Sequence, residues 1–276
     1  MFDDAQMPMT GVAFVTGVSR GLGEALAARL LGAGWSVTGI GRSASARLAH
    51  PRFTWLAADL ADVVASTRAV QAAMRAAALP APARALLINN AAVAEPVARL
   101  GQLADAELCA SLAVNLVAPV ALANAFCGAF DDARIERRII NVSSGLAARA
   151  IAGASLYSIA KCAMEMLTRA LTADHPEPSF CAITLRPGII DTDMQMTMRS
   201  QPPASLPDVG MFKDFHESGK LVSAAEVAEA VHATLVARGV TPGATFNYAE
   251  LLASTQAISS GAETKASASA SSARDP

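Results

Sequence analysis

The stretch that most narrows what this chain can fold into lies near its start. An apolar run at residues 12–16 (VAFVT) leads directly into GVSRGLG at 17–23 and then EALAARLLGAG. A short continuous apolar run suits a strand buried on both faces, as in a parallel sheet covered by helices. Strand, glycine turn and helix, in that order, is the setting of a phosphate-binding loop. Glycines let the backbone approach a phosphate closely, and the helix N-terminus offers free N–H groups with a partial positive charge. The spacing is GxxxGxG rather than the commoner GxGxxG. Read alone, the same motif also suits a tight turn that serves only packing.

The rest of the chain repeats the alternation. Further strands are expected at 35–40, 53–57, 85–88, 138–142, 180–185 and 243–248. Helices are expected at 61–78, stopped by Pro80 and Pro82, at 105–130, and from 155 onward. Ser223 with Glu226 three residues on predicts a capped helix start. Such alternation implies an α/β fold: a single doubly wound parallel sheet flanked by helices on both faces. A chain of 276 residues suits one large domain of this kind. We divide it into a short acidic N-terminal extension at 1–9, a catalytic domain at 10–252 and an Ala/Ser-rich disordered tail at 253–276. Residues 194–219, with mixed polarity and three prolines, read as a substrate lid.

Composition removes several function classes. A net charge of −2 with interspersed signs gives no reason to expect nucleic acid or an anionic membrane as partner. Four widely spaced cysteines and no secretory signal read as reduced thiols in a cytoplasmic protein. The histidines are scattered, so no metal site is expected. Residues 108–130 carry no charge and are long enough to cross a bilayer. They also contain Asn115, Pro119, Asn124 and Gly128, which fits a helix buried in protein better.

Reaction chemistry concentrates at 141–171. Tyr157 and Lys161 are four residues apart on a predicted helix, hence on one face, one turn apart. A cation beside a phenol favours phenolate and lowers the tyrosine pKa from about 10. Such a tyrosine can exchange a proton with an alcohol or carbonyl oxygen. Ser144 ends the fifth strand, thirteen residues before Tyr157. Asn115 lies mid-helix among apolar residues, where it either bonds a neighbouring backbone or holds a water against Lys161. No acid stands at the end of the second strand, where an NAD site would place one. Arg42 stands there instead, with Arg20 in the glycine loop, and two guanidinium groups suit a 2′-phosphate. Asp59, at the end of the third strand, can bond an adenine amino group or cap the helix from Ala61. Small residues after the fourth strand, Asn90, Ala91 and Ala92, leave room for a cofactor.

Taken together, TGVSRGLG at 16–23, NNAA at 89–92, Asn115, Ser144, YSIAK at 157–161 and PGIIDT at 187–192 resemble the short-chain dehydrogenase/reductase family. The resemblance implies a Rossmann-like fold, a nicotinamide cofactor and a catalytic tetrad of Asn115, Ser144, Tyr157 and Lys161. It assigns cofactor contacts to Gly17, Ser19, Arg20, Gly21, Leu22, Gly23, Arg42, Asp59, Leu60, Asn90, Ala91, Ala92, Tyr157, Lys161, Pro187, Gly188, Ile190 and Thr192. Thr192 and the Ile190 backbone would hold the carboxamide. Ala92 departs from the family's usual glycine. RPGIIDTDMQ and KLVSAAEVAEAV look like the sepiapterin reductase and benzil reductase-like branch. The expectation is an NADP(H)-dependent reductase of a small ketone or vicinal diketone. Asn247 falls where sepiapterin reductases place a pterin-anchoring Asp, which weighs against a pterin. The alternatives are a β-ketoacyl reductase of the same family and a non-catalytic NADP-binding sensor. Helices at 105–130 and 155–174 carry more apolar surface than one sheet face covers, so a homodimer or tetramer is expected.

Overall fold

A computed structural model describes residues 10–237 and 239–255. The extension at 1–9 and most of the expected tail, 256–276, lie outside the described residues. Seven strands form one sheet: β1 (Gly11–Thr16), β2 (Trp35–Gly41), β3 (Phe53–Ala57), β4 (Arg84–Asn89), β5 (Glu136–Val142), β6 (Phe180–Arg186) and β7 (Thr245–Asn247). Their order is β3-β2-β1-β4-β5-β6-β7, and every neighbouring pair is parallel. After β3 the chain returns to the far side of β1 to form β4. That reversal opens a crevice at the carboxyl ends of β1 and β4, where ligands bind in sheets of this kind.

Alternation along the strands feeds two cores. Ala13 and Val15 of β1 face one side, with Leu86 and Ile88 of β4. They pack under α1 (Gly21–Gly32) and α8 (Ala224–Val231) through Leu26, Leu30, Val227 and Val231. Val12 and Phe14 face the other side, under α2 (Val63–Ala77), α4 (Ala118–Ala129) and α5 (Ser155–Asp174). Phe14, Phe126 and Phe130 meet there as a ring cluster, with centroids 5.0 and 6.1 Å apart. Each is fully buried, which contributes about 2–3 kcal/mol per ring relative to exposure. A third, smaller cluster sits beyond the strand ends. It joins Ala94 and Val97 to Ile151 and Ala154, to Met198 of α6 (Asp193–Arg199) and to Phe212 of α7 (Val209–Glu217).

Some boundaries differ from expectation. Helix α2 starts at Val63, because Asp62 accepts the Ala65 N–H as its cap. Asp59 accepts from the Ala61 N–H in a turn before it, so it does not cap the helix. The single helix expected over 105–130 is α3 (Asp105–Leu112), a π-turn (Ala113–Val117) and α4. This stretch is long and apolar enough to cross a membrane by composition. Here its Leu122 and Phe126 are buried in the second core. The 194–219 segment holds most of α6 and all of α7 rather than irregular loop. The tail does not begin at Ala253: residues 248–255 are helical, with Leu251 buried in the first core. Ser223 and Glu226 form the expected reciprocal cap, at 3.0 and 3.2 Å.

Candidate active site

The crevice is built by residues that staple two strand ends. Thr16 Oγ1 accepts the N–H groups of Asn90 and Ala91, each at 2.9 Å. The Asn90 amide donates back to the Thr16 carbonyl at 2.9 Å. Between them Gly17 turns with φ +74, and a Cβ there would stand 3.0 Å from the Ala91 Cα. At Gly23 a Cβ would fall 2.1 Å from the Gly17 carbonyl oxygen, so only glycine lets α1 begin against the turn. Arg20 occupies the N-cap of α1 but its side chain does not cap it. The leading N–H groups of α1 thus have no capping side chain, the condition a phosphate needs.

The other expected cofactor contacts gather along the same edge. Arg42 is exposed directly after β2, and Asp59 is exposed beyond β3. Leu60 is buried in the second core, so only its backbone remains for a ligand. Ser19 and Ala92 are partly buried beside the loop, and Leu22 packs into the first core. After β6, Pro187, Gly188, Ile190 and Thr192 run back toward the glycine loop. A Cβ on Gly21 would meet Thr192 Cγ2 at 3.3 Å. Arg20 is not free: its Nε pairs with Asp193 at 3.0 Å, both side chains being mostly exposed. An uncapped helix start, two arginines and no carboxylate at the end of β2 fit an NADP-type dinucleotide.

Ser144, Tyr157 and Lys161 come together above β5. The two adjacent serines point differently. Ser143 is buried, its hydroxyl 2.9 Å from a Glu165 oxygen and 3.2 Å from the Lys161 carbonyl. Ser144 accepts the Leu146 N–H at 3.2 Å and hydrogen-bonds the Tyr157 phenol. Lys161 is buried; its Nζ donates to the Val142 carbonyl at 2.9 Å and lies 5.5 Å from the Tyr157 ring centre. Asn115 sits on the π-turn. Its Oδ1 accepts the Val93 N–H at 2.9 Å, and its Nδ2 donates to the Val93 carbonyl at 2.9 Å and to Ser111 Oγ at 3.2 Å. The amide side chain is therefore tied to backbone, the structural role considered for it. π-turns interrupt the regular ladder and recur at functional positions.

The electrostatics correct one expectation. Burial pushes the Tyr157 phenol up to about 12, with the Ser144 hydrogen bond pulling the other way. Burial also drives Lys161 down to about 8. Burial is the dominant cause of both shifts and outweighs the pull of the Lys161 ammonium on the phenol. Helical spacing brings the ammonium near the phenol but carries no information about how deeply both are buried. At neutral pH Lys161 is still charged and Tyr157 is a neutral phenol, a proton donor rather than a base.

Two contacts at the site were not expected from the sequence. The Tyr157 hydroxyl donates to Met194 Sδ at 3.7 Å. Arg186 pairs with Glu165 at 2.8 and 2.9 Å, fixing the chain just before the Pro187 loop to α5. Glu165 lies one turn after Lys161, so the same four-residue spacing could have flagged it. Met194 carried no such signal, since only tertiary contact brings it to the phenol. Asn247 ends β7, where its amide donates to Glu250 Oε1 at 3.0 Å.

The family model for short chain dehydrogenases matches residues 11–203, more than half of the chain. This chain belongs to the short-chain dehydrogenase family. Among the relatives of this short-chain dehydrogenase is a benzil reductase ((S)-benzoin forming) of Bacillus subtilis (strain 168). It is 27% identical over 240 residues, covering 86% of this chain and 98% of that enzyme. A sepiapterin reductase of Meriones unguiculatus is 36% identical over 207 residues, covering 68% of this chain and 77% of that enzyme. A solved short chain dehydrogenase from Burkholderia cenocepacia J2315, in complex with NADP, is 26% identical with a TM-score of 0.68. That match covers 87% of this chain and 96% of the other. The short-chain dehydrogenase is thus an oxidoreductase with a Rossmann-like fold.

Proposed function

We propose that this short-chain dehydrogenase is an NADPH-dependent carbonyl reductase acting on a small ketone or vicinal diketone. The observation that carries the reading is the Tyr157 phenol hydrogen-bonded to Ser144, with the Lys161 Nζ 5.5 Å from its ring centre. Gly17, Ser19, Gly21, Leu22, Gly23, Asn90, Ala91 and Thr192 would hold the dinucleotide, and Arg20 and Arg42 would take its 2′-phosphate. A bound nicotinamide supplies the hydride. Ser144 and Tyr157 hold the carbonyl oxygen between two hydroxyl donors, and Tyr157 releases its proton to that oxygen as negative charge develops. Lys161 stabilises the phenolate left behind, since a buried cation close to an anion is weakly screened. Asn115, with its amide held by Val93 and Ser111, fixes the segment after β4 beside the crevice as a positioning residue. The benzil reductase and sepiapterin reductase relatives and the NADP-bound neighbour support the substrate class and the cofactor.

The enzyme works in the cytoplasm as a homodimer or tetramer. Val117, Val120, Ile159 and Met166 support the second point, as large apolar side chains exposed on the π-turn, α4 and α5.

The purified protein is to be assayed for NADPH and NADH oxidation with benzil, diacetyl, sepiapterin and a β-ketoacyl thioester. Diketone-dependent NADPH oxidation is expected. Tyr157→Phe should lower kcat by roughly 100-fold or more while leaving NADPH binding nearly unchanged. Full turnover of that variant, or NADPH binding with no turnover of any carbonyl by the wild type, would end the reading; the latter result would favour a sensor.

A further inference from the structure

The space in front of Tyr157 is bounded by a thioether. Met194 Sδ accepts the phenol hydrogen at 3.7 Å. Met194 is partly buried and packs with the cluster that contains Ile151, Ala154 and Met198, as does Leu146 two residues after Ser144. Its position is held from the cofactor side. Asp193, one residue earlier, pairs with Arg20 of the glycine loop, and Thr192 lies against Gly21. A carbonyl oxygen that takes the Tyr157 proton competes with Sδ for the same hydrogen. The group flanking that carbonyl must displace Met194 or lie along it.

We propose that Met194 determines specificity, selecting carbonyls with an apolar aromatic flank over hydroxylated ones. The inference rests on the reductase reading and narrows its substrate class. A thioether is polarisable and unbranched, fits the edge of an aromatic ring and reshapes easily around it. It is also a weak acceptor, so moving it off the phenol leaves little unsatisfied. A polyhydroxylated carbon chain pressed against the Met194 thioether would leave hydroxyls without partners, which is costly for each one.

The test is kcat/KM with NADPH for benzil, diacetyl and L-xylulose, measured on the wild type, Met194→Ala and Met194→Gln. NADPH titration by fluorescence checks that both variants remain folded and bind cofactor. The wild type should prefer benzil to L-xylulose. Met194→Ala should lose on the order of tenfold on benzil, mostly through KM, as an aromatic–sulfur contact is removed. Its activity on diacetyl should stay within about threefold, because that substrate has no aromatic ring to meet the thioether. Met194→Gln should narrow the preference for benzil over L-xylulose. An active enzyme whose ratios are the same in all three proteins overturns the role of Met194, as does a wild type that prefers L-xylulose. A wild type that reduces none of the three, nor any other carbonyl, is a different result and removes the reductase reading itself.

Discussion

Lys161 illustrates at the scale of one residue how burial sets chemistry and stability against each other. Its pKa falls from 10.5 to about 8 on burial, equivalent to about 3 kcal/mol against the charged form. The folded state therefore binds fewer protons than the unfolded state between those two values, and stability rises with pH across that window. Below about 8 the full penalty is present. Lys161→Met should remove it. We expect a higher denaturant midpoint than wild type at pH 7, with the gap closing as pH rises toward 10, and with reductase activity lost at every pH. A midpoint gap independent of pH would show that the ammonium carries no burial penalty. Tyr157 shifts the other way, so its contribution to stability persists to high pH and falls only between 10 and about 12. For the same reason, the alkaline limb of carbonyl reduction should follow Lys161 near pH 8 rather than the phenol.

At the scale of elements, α6 is the joint between cofactor loop and substrate space. Its first residue, Asp193, holds Arg20 through an exposed ion pair, and its second contacts Tyr157. If Arg20 serves a 2′-phosphate, Asp193 competes with the cofactor for it. Asp193→Asn should tighten NADPH binding by roughly two- to fivefold, the usual scale of exposed pairs, with little change for NADH. Parallel fluorescence titrations check this; equal effects on both cofactors would place Arg20 away from the 2′-phosphate. The π-turn between α3 and α4 is the other element with a task. It carries Asn115 to Val93, so the segment after β4 and the junction of α3 and α4 are tied together.

For the whole molecule, the strand reversal between β1 and β4 gathers the glycine loop, Ser144, Tyr157 and the Thr192 loop on one edge of the sheet. The outer faces of α4 and α5 remain apolar: Val120, Ile159 and Met166 are each more than 40% exposed. If the proposed homo-oligomer forms through this face, Val120→Glu and Met166→Glu together should leave a monomer by light scattering, with secondary structure retained. A wild type that is already monomeric at micromolar concentration would remove the homo-oligomer proposal.

The sheet was legible in the sequence because its signals are local. Each buried strand is a short apolar run, and Gly23 answers a steric demand from Gly17 in the same turn, whereas Gly17 and Gly21 face Ala91 and Thr192. The Tyr157–Lys161 pairing was legible for the same reason, since helical spacing alone puts the two on one face. What the sequence could not carry depends on contacts between distant segments. Burial reversed the direction of the Tyr157 shift, Arg20 found Asp193, and Met194 reached the phenol from the far side of the crevice. Ser143 turned to Glu165, while Ser144, thirteen residues before Tyr157, turned to that phenol. Desolvation and side-chain partnership are properties of the packed interior, and these only the tertiary structure decided.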